Sequence, residues 1–168
     1  TPAVAHTYTA ISDAALADRA SVIVRGTVLD RSTRMVNGGV FTEYSVRVDD
    51  RLKGTVAQRI TVRVAGGMLP DGSRVLVTSS PELEAGHDLL LFLSPAIEGT
   101  YRLAEARLGV FHLDGTGPTA TATRRLLGRP VDLPGAEAAR WAGPRHATRF
   151  IDWLRDHVRG LSSAVDYY

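Results

Sequence analysis

The 168-residue sequence contains no cysteine, and this absence excludes disulfide bonds, thiolate metal sites and cysteine nucleophiles together. Long apolar runs are missing too: residues 89–93 form the longest, far short of the roughly 20 residues that a membrane-spanning helix needs. Lysine is nearly absent, because Lys53 is the only one among 20 basic residues. At a net charge of only +2, this arginine bias favours a GC-rich genome over an anionic ligand as its cause.

What remains is an ordinary globular composition, with 44% hydrophobic and 23% charged residues. We predict a single domain over residues 1–168, with a barrel core at 10–125, an irregular connection at 126–145 and a C-terminal helix at 146–161. The opening residues 1–5 suit a mature terminus left by signal-peptide removal, although a shortened chain would begin in the same way.

Short β-branched segments separated by turn residues dominate the first three quarters of the chain. The clearest strand signals lie at residues 21–29, 44–53, 60–64, 88–94, 101–103, 109–113 and 119–123. Gly26 interrupts the first strand and indicates a bend, and Asn37-Gly38-Gly39 predicts the turn of a long hairpin. The apolar run near residue 90 is typical of a strand covered on both faces. The pattern predicts a mainly β fold, a small barrel of five to seven strands.

Two helices are expected beside the strands. Residues 10–20 are rich in helix formers, and Ser12 is a suitable N-cap. Residues 146–161 place Phe150, Ile151, Leu154 and Val158 on one face, which predicts an amphipathic helix that packs on the barrel of its own chain. Docking of this apolar face on a partner is the alternative.

The strand segments resemble those of bacterial exported OB-fold modules, which are similar to the netrin-like domain of tissue inhibitors of metalloproteinases. The resemblance covers roughly residues 10–130. It rests there on four segments: residues 21–28, residues 44–48 leading to Leu52-Lys53-Gly54, residues 86–93 and residues 108–111. Outside that range, residues 150–154 also resemble the same modules.

In bacterial proteins of this kind, the module often stands before a matrixin-like zinc peptidase domain or is encoded beside one. The resemblance therefore implies a secreted or periplasmic, non-catalytic protein-binding module. Its partner would be an extracellular metallopeptidase, to which it is accessory or inhibitor-like, or other subunits of an extracellular assembly, including copies of itself. The animal inhibitors block the peptidase zinc with an N-terminal cysteine. Here the chain begins Thr1-Pro2, so these two residues are candidate contacts without that zinc-binding role.

The residues themselves point to no catalytic, cofactor or metal site. The five histidines, which lie far apart and outside any HExxH motif, are expected in surface or capping roles. No serine stands in a GxSxG elbow, and Gly66-Gly67 lacks the lysine of a phosphate loop. We accordingly predict that the chain is not an enzyme.

Binding of single-stranded nucleic acid or an oligosaccharide is the alternative function, since OB folds commonly bind such chains. Phe41, Tyr44, Tyr101 and Phe111 are the candidate stacking residues. Against it, residues 1–119 carry a net charge of −1, so the basic groove that nucleic acid requires is missing there.

Basic charge is concentrated at residues 120–160, which contain eight arginines and four acidic residues. Besides Thr1 and Pro2, we predict Arg124, Arg125, Arg149, Arg155 and Arg159 as interaction residues. The alternative is a solvated helix face with local ion pairs, such as Asp152 with Arg155.

Overall fold

The computed structural model of the protein describes residues 6–168, and strands outnumber helices in it, which confirms the mainly β prediction. The helices are α1 (Asp13–Arg19), α2 (Gly135–Ala142) and α3 (Ala147–Val158). The strands are β1 (His6–Tyr8), β2 (Val22–Val36), β3 (Gly39–Lys53), β4 (Arg59–Ala65), β5 (Gly67–Met68), β6 (Arg74–Val75), β7 (Asp88–Pro95), β8 (Tyr101–Leu103), β9 (Val110–Asp114), β10 (Thr121–Thr123), β11 (Gly128–Pro130) and β12 (Arg145–His146).

Five of these strands form a ring-like sheet in the order β2, β3, β4, β8, β7 and back to β2. In space β7, β2, β3 and β4 lie side by side, so the fourth strand of this set in the sequence returns next to the first, as in a Greek key. The parallel contact between β4 and β8 is a single residue pair, Val62 with Tyr101. The ring is therefore only partly closed, and the closed barrel expected from the sequence is not clearly formed.

Strand β7 lies at the centre, as its apolar run predicts. Leu89, Leu91 and Leu93 point into the ring, where they meet valines of β2, β3 and β4. Leu90 and Phe92 point outward into a second core beneath the helices. The edge of β7 that faces away from β2 pairs with two strands. The first half of β7 pairs with β9, and its second half pairs with β8.

Both predicted helices form, and both cover the outer face of the sheet. Ser12 caps α1 by accepting a hydrogen bond from the Ala15 amide at 3.1 Å. Phe150 and Leu154 of α3 are fully buried in the outer core, which confirms that this helix packs within its own chain. No helix in residues 6–168 has the length and apolarity needed to cross a membrane.

The prediction of an irregular connection at 126–145 is wrong. This segment contains β11, which pairs in parallel with β1, and α2, whose Trp141 donates its indole N–H to the Ile11 carbonyl at 2.7 Å. Gly135 and Gly143 stand at the two ends of α2 and so do not interrupt it. The strand predicted at 119–123 forms as β10, and it is paired on both sides, by β9 and by β12.

Gly26 occupies the bend that the sequence predicts. The pairing of β2 with β3 shifts register between Arg25 and Gly26, and a Cβ at Gly26 would stand 2.6 Å from a Val46 methyl and 2.7 Å from the Arg47 carbonyl oxygen. Such an approach is possible only for glycine.

We therefore expect Gly26→Ala to lower the free energy of unfolding by about 1–2 kcal/mol, because backbone on the paired strand must move to admit the methyl group. Urea denaturation measures the change. Gly135→Ala is the matched control, since nothing lies within 4 Å of its added Cβ, and it should leave stability unchanged or slightly raised. Equal midpoints for the two variants would contradict the close contact at Gly26.

Candidate functional site

A cleft of about 590 Å³ opens at one mouth of the ring, where the β2–β3 hairpin projects beyond the other strands. The hairpin forms one wall through residues 31–33 and Thr42. A connecting segment, residues 66–82, forms the opposite wall. The mouth of a β-barrel is a common position for a binding site, and this cleft occupies the corresponding place on the partly closed ring.

The connecting segment is held against the hairpin by a close backbone approach. A Cβ at Gly67 would stand 2.6 Å from the Thr42 hydroxyl oxygen, so only glycine lets β5 lie on that surface. Strands β5 and β6 then form a small hairpin whose turn is closed by Asp71, which accepts hydrogen bonds from the hydroxyl and amide of Ser73 at 2.6 and 2.9 Å. These bonds lower the pKa of the Asp71 carboxyl.

Arg107 fixes the far side of the cleft. Its guanidinium donates to the Ser80 carbonyl at 2.5 Å and the Thr78 carbonyl at 3.3 Å, and its backbone amide donates to Ser79. Within residues 6–168 its Nε atom is buried without a hydrogen-bond partner. The wall at residues 78–80 is thus held by a cation instead of by strand pairing.

The cleft has an apolar rim of solvent-exposed aliphatic side chains. Leu76 is 75% exposed, and Met68, Val75, Val77 and Leu127 are also exposed. Exposed aliphatic side chains gathered around one concavity mark interaction sites on soluble proteins. The sequence carries one signal of this rim, the short apolar stretch Val75-Leu76-Val77 inside a connection rich in glycine and proline.

The predicted interaction residues do not converge on the cleft. Arg125, Arg149 and Arg159 are exposed on other surfaces, and Arg155 pairs with Asp152, in agreement with the helix-face alternative, and with Asp50 of β3. Thr1 and Pro2 lie outside the described residues.

Arg124 corrects the prediction of a surface patch, because its side chain is buried and unavailable to a partner. It donates to Asp13 at 3.1 Å and to the Leu108 carbonyl, and it stacks over Phe111 and Trp141. Burial lowers the pKa of Arg124 to about 10 despite the adjacent carboxylate. The basic character of residues 120–160 is therefore partly internal.

Asp13 is the centre of this internal cluster. Arg145, fully buried, donates to both Asp13 oxygens at 2.8 and 3.0 Å, and the Tyr167 hydroxyl donates to the same carboxylate at 3.0 Å. Burial and the neighbouring carboxylate raise the pKa of Tyr167, so its hydroxyl stays protonated. The cluster joins α1, the end of β10, β12 and the C-terminal segment, and the side chains of Asp13, Arg124 and Arg145 are all buried, so we assign it the role of holding the fold together.

Two histidines have the capping and surface roles that the sequence predicts, and a third does not. His146 caps α3, and His157 contacts Asp18 at 2.8 Å on the surface. His112 is instead buried beside His87, with its Nδ1 atom unpartnered within the described residues, so a surface or capping role is wrong for it. Residues 6–168 contain no cluster of three or more His, Cys, Asp or Glu side chains placed to hold a metal ion.

No protein-family model matches this chain, and no curated protein matches it significantly.

Proposed function

We propose that the protein is a non-catalytic, secreted protein-binding module that docks its partner at the cleft at the mouth of the ring. The observation that carries the proposal is the apolar rim, because the fold leaves Leu76 and its aliphatic neighbours exposed around a concave surface. A protein partner would cover them and gain the free energy of removing that surface from water.

The resemblance to exported OB-fold modules adds the class of partner. A partly open ring with a Greek-key order is what an OB fold consists of, and the five-stranded ring supports that assignment. On this basis the proposed partner is an extracellular metallopeptidase of the matrixin-like kind, or a neighbouring subunit of an extracellular assembly.

The aromatic residues do not favour the alternative of a nucleic-acid binder. Tyr44 and Phe111 are buried in the two cores, and Tyr44 uses its hydroxyl to accept a hydrogen bond from the Leu83 amide. Phe41 and Tyr101 are only half-buried but lie on different strands. A stacking platform for successive bases requires exposed faces in a row.

The test measures binding of the purified protein to matrixin-like peptidase domains from the same organism, and to proteins captured from its culture fluid, by biolayer interferometry. We expect Leu76→Glu to weaken the complex at least tenfold, because it places a charge in the covered apolar rim. Leu161→Glu is the matched control, since Leu161 is also exposed but lies beyond α3, and it should change affinity less than twofold. The proposal would be overturned if Leu76→Glu left the affinity for every partner unchanged, or if no partner bound at all.

A further inference from the structure

The charges around the cleft are not balanced. Arg31 on the hairpin wall and Arg74 on the connecting segment both approach the same oxygen of Glu82, at 3.6 and 2.5 Å. The Glu82 carboxylate is therefore shared by two guanidinium groups, one from each wall of the cleft. Because a guanidinium can hold a carboxylate with two parallel hydrogen bonds, two of them leave donors available for a second acidic group.

The third cation of the cleft does not correct this imbalance. Arg107 has no carboxylate partner among the described residues, and its Nη2 atom donates to the carbonyls of Thr78 and Ser80. Glu82 is the only acidic side chain among the described residues that line the cleft, against these three arginines. The local charge is thus positive, although the whole chain is nearly neutral.

The shape of the cleft favours an extended segment. Strand β2 pairs with β7 only as far as Thr27, so residues 31–33 reach the cleft with no strand beside their outer edge in the described part of the chain. Across the cleft, residues 74–75 form the short strand β6, and residues 76 and 77 lead from it to a turn at Thr78. A peptide in an extended conformation presents side chains alternately to two such walls.

We infer that the cleft binds an extended, acidic segment of a protein partner, an inference that rests on the proposed function and names its ligand chemistry. An Asp or Glu of the segment meets Arg31 and Arg74 beside Glu82. An aliphatic residue next to it covers Leu76 and Met68. The segment is recognised by the combination of one negative charge and flanking apolar side chains.

Three hexapeptides, acetylated and amidated, test the inference: Thr-Val-Asp-Val-Thr-Val and the versions with Asn or Lys in place of Asp. Titration of each into the full chain, followed by amide chemical shifts of Thr33, Gly67 and Val75, measures affinity and position together. We expect the Asp peptide to bind at least fivefold more tightly than the Asn peptide. The Lys peptide should bind most weakly, and the preference should decrease with added salt.

Substitutions of opposite sign sharpen the test. Glu82→Gln should tighten binding of the Asp peptide several-fold, because both arginines are then free to bind its carboxylate. The double change Arg31→Gln with Arg74→Gln should weaken it at least tenfold. The double change Arg149→Gln with Arg159→Gln removes the same two charges from remote exposed sites and should leave the affinity unchanged.

Each contrary result identifies what fails. Equal affinity for the Asp and Asn peptides, or a loss in Glu82→Gln, overturns the acidic preference and leaves the docking proposal standing. Tighter binding of a twelve-residue oligothymidylate at the same amides overturns both in favour of a nucleic-acid ligand. If none of the peptides binds, the inference of an extended acidic segment is overturned. The proposed function is then decided separately, by the binding measurement with peptidase domains and captured proteins.

Discussion

Replacement of Asp13 by alanine is expected to lower the free energy of unfolding by about 3–5 kcal/mol, because it leaves two buried guanidinium groups without their shared carboxylate. Asp13 is 5% exposed, Arg124 is 3% exposed and Arg145 is fully buried. Removing the carboxylate also costs the Tyr167 hydroxyl its acceptor. The loss exceeds that of a surface ion pair because no water can replace the missing partner.

Urea denaturation followed by tryptophan fluorescence measures this loss, since Trp141 stacks on Arg124 and reports the same region. Asp18→Ala is the matched control. Asp18 lies in the same helix and pairs with His157 at 2.8 Å, but its side chain is 70% exposed, so its removal should cost less than about 1 kcal/mol. If both variants unfold at the same urea concentration, the buried cluster does not stabilise the fold as described.

Acidification is the second condition expected to have a large effect, through His112. Burial, followed by the positive charges of Arg125 and His87, lowers the pKa of His112 from 6.5 to about 4 against the smaller opposing effects of Asp114 and Glu84. The folded state therefore resists protonation that the unfolded state accepts. Stability is retained above pH 6.5, decreases as the pH falls toward 4, and by this group alone changes by about 2–3 kcal/mol.

Urea unfolding at pH 7.5, 5.5 and 4.5 tests this dependence. His112→Leu removes the titrating group from the same buried position, and its stability should depend less on pH over this interval. Parallel profiles for His112→Leu and the unchanged protein would assign the acid sensitivity to other groups.

The fold could be predicted wherever local pattern decides structure. The Asn37-Gly38 turn, the bend at Gly26 and the apolar stripe of α3 each carry their own signal, and each forms as expected. The sequence pattern does not predict helix α2, because the glycine and proline residues at its ends are equally typical of an irregular connection. They are common at helix boundaries, so their spacing was the neglected signal.

The candidate site and the buried cluster could not be predicted in the same way. Arg124 and Arg145 appear in the sequence as members of a basic stretch, and their carboxylate partner lies 111 and 132 residues away. The residues next to them in the sequence do not distinguish these two buried arginines from the exposed Arg125. The cleft likewise depends on the hairpin and the connecting segment meeting in space, and no repeat or motif in the sequence specifies that contact.

Strand β7 has one more property that follows from its two covered faces. In a strand with one solvent-exposed face, the side-chain pattern itself sets the pairing register, since a shift of one residue would expose its apolar side chains. In β7 the same slip would only exchange Leu89 and Leu91 with Leu90 and Phe92 between two apolar cores. Its alignment must therefore be specified where it begins, by the ion pair of Asp88 with Arg25 and by the bonds that join Gly86 and His87 to Val28. The information that places the central strand resides in its polar neighbours and not in the leucines that fill the core.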